Sequence, residues 1–502
     1  MKQYSPQTVA LSLISHTNVG KTTLARTLLR RDIGEVRDEA HVTSTAEKHC
    51  LIESTAGDRL ELWDTPGFGD SVRLAKRLAQ ANSPIGWFMG EVWDRLRNRA
   101  FWSSQRAIRN ILEQADVVLY LVNAAQSPED SGYLDSELQV LQLLGKPVIV
   151  LLNQMGPPQE PSHAKAELQR WRDLLRPNNC VHEVLALDAF ARCWVQENTL
   201  LHAVEPLLKP DGRAAYAGLC AAWDARNQAI WRNAMAVLAD RLVRAAQDRE
   251  VVSESGWSGR LKNLGASLGL RGEGSEIARE QAMRLLAERL DADIRNSTDR
   301  LIQLHGLGGH ATDLVLNRLA EQYAVQEPAS EGKAAMLGGL VTGALAGLKA
   351  DILSGGMTMG GGMLTGGVLG ALGAAGLARG YNLVRGVNVP TLGWTETVLD
   401  ELTKSALLGY LAVAHFGRGR GDWTAAEHPA FWRDHVSAVV GARHEPLHEL
   451  WSQRDAAGNT QTKALAESLQ LILCDACGDL LRQLYPDAKT LGPTSKVISK
   501  FP

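Results

Sequence analysis

The chain has 502 residues, 45% of them apolar and 22% charged, which is too long for one ordinary core and too apolar to stay unfolded; two to four domains are expected. A formal net charge of −3 gives no electrostatic reason for a polyanionic partner, and no nucleic acid is expected as one. The six cysteines are too few and too irregularly spaced for a disulfide framework, and the opening MKQYSPQTVALSLISH lacks the apolar stretch and cleavage site of an export signal, so a cytoplasmic chain is expected.

Strand-like apolar runs at 9–15, 60–63, 117–122, 148–152 and 181–187 alternate with helical patterns at 22–30, 104–114, 133–144 and 164–175. Such alternation implies an α/β fold in which a mostly parallel sheet is covered by helices on both faces. After Pro206 and Pro210 strand-like runs disappear, which puts a domain boundary near 209–213. The expected organisation is an α/β domain over 1–210 and an all-α domain over 211–502. Its helices are expected at 214–250, 275–305, 311–323, 395–415, 425–440 and 460–484, with a glycine-, serine- and basic-rich connection at 253–274. Cys474 and Cys477 have CxxC spacing but stand in an apolar helical pattern with no second pair, so they read as core residues.

The segment Ser15-His16-Thr17-Asn18-Val19-Gly20-Lys21-Thr22 ends a predicted strand and opens a predicted helix, the setting a phosphate loop requires. Ser15, Thr17, Asn18, Val19, Gly20, Lys21, Thr22 and Thr23 form the expected cradle. In it main-chain N–H groups surround phosphates, Lys21 reaches the β- and γ-oxygens and Thr22 ligates Mg2+. Ser15 replaces the first glycine of GxxxxGK[ST]. A second strand ends in Asp64-Thr65-Pro66-Gly67, a DxxG in which Asp64 can hold the magnesium shell and the Gly67 amide can sense the γ-phosphate. Between them, Thr43 is the favoured third magnesium ligand, with Ser44 and Thr45 beside it in a hydroxyl-rich loop.

The segments TNVGKTTL, DTPGFGD and VIVLLNQMG resemble GTPases related to Era and to the tRNA-modification GTPase, over residues 8–208. The resemblance implies a P-loop NTPase fold, GTP as substrate, Mg2+, and a base-reading Asn-Lys-x-Asp after the fifth strand. Here that position reads Asn153-Gln154-Met155-Gly156: the asparagine is present and the guanine-reading carboxylate is not. Asn153, Gln154 and Asp188 are the candidate base-side residues; Asp188 either takes over the missing carboxylate's role or is an exposed loop aspartate. Phe68 follows Gly67 where some small GTPases carry a water-orienting glutamine, so slow turnover is expected. By resemblance Asn18 is a candidate K+ ligand, or else it braces the loop.

The whole chain also resembles bacterial GTPases with a helical, glycine-rich C-terminal domain of unknown function, carried by FWSSQRAIRNILEQADVVLYLVNA and GGLVTGALAGLKADILSGG. A long insertion at 70–102, with aromatics among arginines at 85–102, stands at the second-switch position. It suits a partner groove, an anionic membrane surface, or packing on the helical domain. Residues 336–378 carry glycines four apart, a spacing that lets helices approach closely: either a re-entrant membrane hairpin or a soluble packed one. The sequence therefore reads as a GTP hydrolase acting as a switch, through a membrane or membrane-protein partner or a homodimer. The alternative is a nucleotide-binding scaffold with negligible turnover and relaxed base choice.

Overall fold

The structure, a computed structural model, describes residues 5–31, 46–69, 71–80, 99–127, 132–156, 158–252, 273–307, 377–381, 390–416, 430–455 and 459–488. The chain divides into two compact units, one built mainly from residues 1–229 and the other mainly from 230–413 and 424–480.

The first unit is organised by a six-stranded sheet: β1 Thr8–Ser15, β2 Glu47–Glu53, β3 Arg59–Asp64, β4 Val117–Asn123, β5 Val148–Asn153 and β6 Val181–Ala186. Their order is β2-β3-β1-β4-β5-β6, and every pairing is parallel except β2 with β3. Parallel strands need both faces covered, and β4 reads as an unbroken apolar run for that reason. Along it Val117, Leu119 and Leu121 join one buried cluster while Val118, Tyr120 and Val122 join the other. On the Tyr120 face lie α2 Ser71–Gln80, α3 Arg99–Gln114, α4 Leu134–Leu144 and α5 Pro161–Leu175, which contribute Leu74, Ile108, Leu138 and Trp171. On the other face α1 Lys21–Leu29, α6 Trp194–Val204 and the start of α7 Pro210–Gln247 contribute Leu24, Leu200 and Trp223.

Two features depart from the sequence reading. The segment EKHCLIE forms β2 at the sheet edge, where its charged residues are largely exposed; one covered strand face leaves too few apolar positions to announce a strand. The stretch after DxxG, read as a long insertion at 70–102 ahead of the helical pattern at 104–114, holds α2, which buries Leu74 and Ala75, and α3 begins at Arg99 and takes in Phe101 and Trp102. The aromatic part at 81–98 lies outside the described residues.

The second unit is largely helical. It holds the rest of α7, then α8 Glu273–Leu304, α9 Glu396–Ala414, α10 Ala430–Gly441, α11 His444–Ser452 and most of α12 Asn459–Leu484. It also contains a three-stranded antiparallel sheet that the sequence reading did not include: β7 Arg249–Val251, β8 Leu377–Tyr381 and β9 Pro390–Trp394, in the order β7-β9-β8. At Gly393 a Cβ would come within 2.6 Å of the Arg249 guanidinium lying across the strand, so a larger residue there has to move that arginine. Cys477 is buried and Cys474 half-buried on α12, beside buried Leu469, Leu473, Leu480 and Leu481. Burial pushes the Cys474 thiol up to about 11, which fits a core position. The glycine-rich segment, up to residue 376, and the expected helix at 311–323 lie outside the described residues. Among the described residues no helix is long and apolar enough to cross a membrane.

Candidate nucleotide site

β1 and β3 run parallel in register, Leu13 beside Asp64, so the two loops at their carboxyl ends emerge side by side. After Ser15 the chain turns through Asn18 (φ 64°) and Gly20 (φ 95°), both left-handed, before α1 starts at Lys21. Gly20 is needed twice over. Its φ suits a residue without a Cβ, and a Cβ would sit 2.8 Å from the Asn153 side-chain nitrogen. Val19 and Thr23 are buried, Thr17 is half-buried and Asn18 is exposed.

Lys21 is buried and donates to the Ser15 hydroxyl at 3.0 Å; that hydroxyl in turn donates to the His16 carbonyl. Burial lowers the Lys21 pKa, with Asp64 and Glu137 acting in the opposite sense. Thr22 Oγ1 donates to Asp64 Oδ2 at 2.6 Å. The second oxygen, Asp64 Oδ1, is buried and has no hydrogen-bond partner among the described residues. Burial raises the Asp64 carboxyl to about 6, against the pull of Thr22 and Lys21. A buried carboxylate with an orphaned oxygen, next to a threonine hydroxyl, is the donor set a hard divalent cation takes. The Gly67 main chain lies against the same loop, since a Cβ there would be 2.9 Å from Lys21 Nζ.

Phe68 donates its N–H to the Ser15 carbonyl at 2.9 Å and forms a bridge with His16, while its ring is fully buried in the Tyr120-face cluster. Its side chain is therefore part of the core. Thr43, with Ser44 and Thr45, lies outside the described residues.

On the base side, Asn153 is fully buried and ties two segments together. Its Nδ2 donates to the Val19 carbonyl at 2.6 Å, and its Oδ1 accepts from the Ala189 N–H at 2.8 Å. Gln154 (φ 58°) and Gly156 (φ 78°) are left-handed. Asp188 is not the exposed loop aspartate that one reading of the sequence gives. It is 4% exposed, and its two oxygens accept from the main-chain N–H groups of Phe190 (2.8 Å) and Met155 (2.7 Å). Burial raises its pKa and those N–H groups, with that of Gln154, lower it.

One group beside the site was not singled out in the sequence. His16 Nδ1 lies 2.7 Å from Glu137 Oε1, Tyr120 donates its hydroxyl to Glu137 Oε2 at 2.7 Å, and the His16 ring stacks on Tyr133 at 4.5 Å. Glu137 is fully buried on α4. The signal was present: Glu137 falls between Leu134, Leu138 and Leu141, on the apolar stripe of LDSELQVLQLL, where a charge has to be paired.

Against known proteins, the family described as 50S ribosome-binding GTPase matches residues 10–154, which hold every described phosphate-side group above. A domain of unknown function (DUF3482) matches residues 178–470, more than half of the chain. The chain belongs to the DUF3482 family. Its amino-terminal part is a P-loop GTPase domain, followed by the largely helical region of that family.

Among solved structures, the chain is similar to a variant of Aquifex aeolicus Era bound to GDP·AlF4−, at 19% identity over 40% of this chain and 57% of that one, with a TM-score of 0.29. Era in complex with MgGDPNP and a segment of 16S ribosomal RNA matches at 19% identity, over 45% of this chain and 68% of that chain, TM-score 0.29. The chloroplast translocon components atToc33 and psToc159, for whose GTPase activity dimerization is important, match at 15% identity over 38% and 72%, TM-score 0.24. The chain thus spans little more than half the length of the first of these. No curated protein matches it.

Proposed function

We propose that this DUF3482 chain is a magnesium-dependent GTP hydrolase of low intrinsic rate, working as a nucleotide-dependent switch. The observation that carries the reading is the pairing of Thr22 with Asp64 at 2.6 Å beside the buried Lys21 ammonium. In this reading Lys21 and the main-chain N–H groups of Thr17–Thr23 neutralise and hold the β- and γ-phosphates. Thr22, Asp64 and Thr43 hold Mg2+, whose charge offsets what develops on the transferring phosphoryl group. Gly67 reports the γ-phosphate to α2. Burial of Phe68 leaves the first position after DxxG without a polar group for the attacking water, which supports slow turnover. The same observation favours the second reading, a nucleotide-binding scaffold with negligible hydrolysis. K+ at Asn18, self-association, and action at the inner face of a membrane through 336–378 and 85–102 belong to the first reading; support for them comes from the sequence patterns alone.

The test is triphosphate binding and phosphate release by the wild type and Lys21→Ala, with Mg2+. The loss of charge-assisted contacts is expected to weaken triphosphate binding by about 10–100-fold. Wild-type protein that retains neither GTP nor ATP at millimolar concentration overturns the reading, and binding without Lys21-dependent hydrolysis selects the scaffold. Rates that are equal in potassium and sodium, and unchanged by Asn18→Ala, remove the cation. Complete recovery in the high-speed supernatant, without detergent, removes the membrane.

A further inference from the structure

We infer that the nucleotide site reads its base without a carboxylate and accepts purine triphosphates with little preference for guanine. The inference rests on the proposed nucleotide site and widens its substrate class from GTP to purine triphosphates. Guanine differs from adenine and hypoxanthine along one edge, where N1–H and the 2-amino group present adjacent donors; adenine lacks both and hypoxanthine lacks the second. Strong discrimination along that edge comes from a charged acceptor that takes both hydrogens, because removing the partner of a buried polar group costs more than a weak contact returns.

The two loops that follow β5 and β6 at this end of the sheet carry two carboxylates, Asp188 and Glu160. Asp188 is turned inward: it is 4% exposed and each oxygen holds a main-chain N–H, one from Met155 and one from Phe190, so it serves as the internal brace between the loops. Glu160 is exposed and precedes the first turn of α5, with Pro158 two residues before it and Pro161 just after. The position three residues after Asn153 is Gly156, exposed, with a φ of 78°. Among the described residues nothing beyond its chain neighbours lies within 4 Å of where its Cβ would be, so these surroundings leave room for a side chain that the sequence does not supply. Meanwhile the Asn153 bridge from Val19 to Ala189 is complete. The loops are thus held in place by the Asn153 amide and the inward-turned Asp188 carboxylate, and the position three residues after Asn153 carries no acidic group.

The experiment measures equilibrium affinities of the full chain for GTP, ITP and ATP with Mg2+, in the wild type, Gly156→Asp, Asp188→Asn and Glu160→Gln. Expected for the wild type are three affinities within about fivefold of one another, since only neutral contacts distinguish the bases. Gly156→Asp, which adds a carboxylate in open space at a backbone geometry that aspartate tolerates better than most residues, is expected to raise the GTP-to-ATP ratio by roughly 10–100-fold. Asp188→Asn, losing a brace and no reader, is expected to weaken all three together and leave their ratios in place; Glu160→Gln is expected to leave the ratios in place as well. A wild-type preference for GTP above about 30-fold over either ITP or ATP overturns the inference, as does a ratio that collapses in Asp188→Asn or Glu160→Gln. Failure of all three nucleotides to bind the wild type strikes the underlying site and not its base choice.

Discussion

Replacing Asn153 with alanine tests how the site is held together. In the structure the side chain supplies one donor, to the Val19 carbonyl, and one acceptor, to the Ala189 N–H, from a fully buried position. Alanine leaves both partners unpaired in the protein interior, at about 1–3 kcal/mol each, so a loss of roughly 2–6 kcal/mol is expected. For a unit of some two hundred residues that corresponds to a fall of about 5–15 °C in the unfolding midpoint. Asn123 is a matched control. It sits directly beside Asn153 in register at the end of the neighbouring strand, yet its side chain accepts a single exposed hydrogen bond from Ala125. Asn123→Ala is expected to cost no more than about 1 kcal/mol. Scanning calorimetry of both variants, with and without magnesium and GTP, separates them: Asn153→Ala is expected to lose both intrinsic stability and most of the nucleotide-induced shift. Equal midpoints for the two variants would refute the reasoning.

Three further outcomes follow from buried charge and close packing. Glu197 is 1% exposed and pairs with Arg192 at 2.7 Å and Arg30 at 3.4 Å, so Glu197→Gln is expected to destabilise by about 3–5 kcal/mol in urea titration, well beyond an exposed pair such as Arg59 with Glu53. Glu137 has its pKa raised by burial, against the hydrogen bonds from His16 and Tyr120. Its proton is therefore bound more tightly in the folded chain, and its contribution to stability is present below the ordinary glutamate range and lost as pH rises through the raised value. Glu137→Gln should accordingly flatten the decline in stability above pH 4.5, and identical pH profiles for variant and wild type would discard that account. Gly393→Val must displace Arg249 from across β9 and is expected to lower stability by roughly 1–3 kcal/mol, read by hydrogen exchange at β9.

Much of the phosphate side was legible in the sequence because its chemistry is local. A strand, a tight turn and a helix start within eight residues leave few alternatives for Ser15 to Thr22, and Asp64 to Gly67 end the adjacent strand. The parallel sheet was legible for a related reason: strands buried on two faces, such as VVLYLVN, are apolar throughout. What stayed hidden depends on distant partners. EKHCLIE is a strand because β3 pairs with it along the sheet edge. LARGY and PTLGW, rich in glycine and proline, gain strand geometry only by pairing with each other and with Arg249–Val251. Asp188 looked like a surface residue because loops are usually solvated, and only the fold brings the N–H of Met155, 33 residues away, onto its carboxylate. The Phe68 position was visible, but the sequence does not say which way a ring after DxxG points.

That orientation has a mechanical consequence. With its ring fully buried in the cluster on the Tyr120 face and its N–H fastened to Ser15, Phe68 is anchored immediately beyond Gly67 and three residues ahead of α2. Enlarging or shrinking that one ring is therefore expected to act first on the packing of this face of the sheet, read as a shift in thermal unfolding, before it touches any group of the phosphate loop.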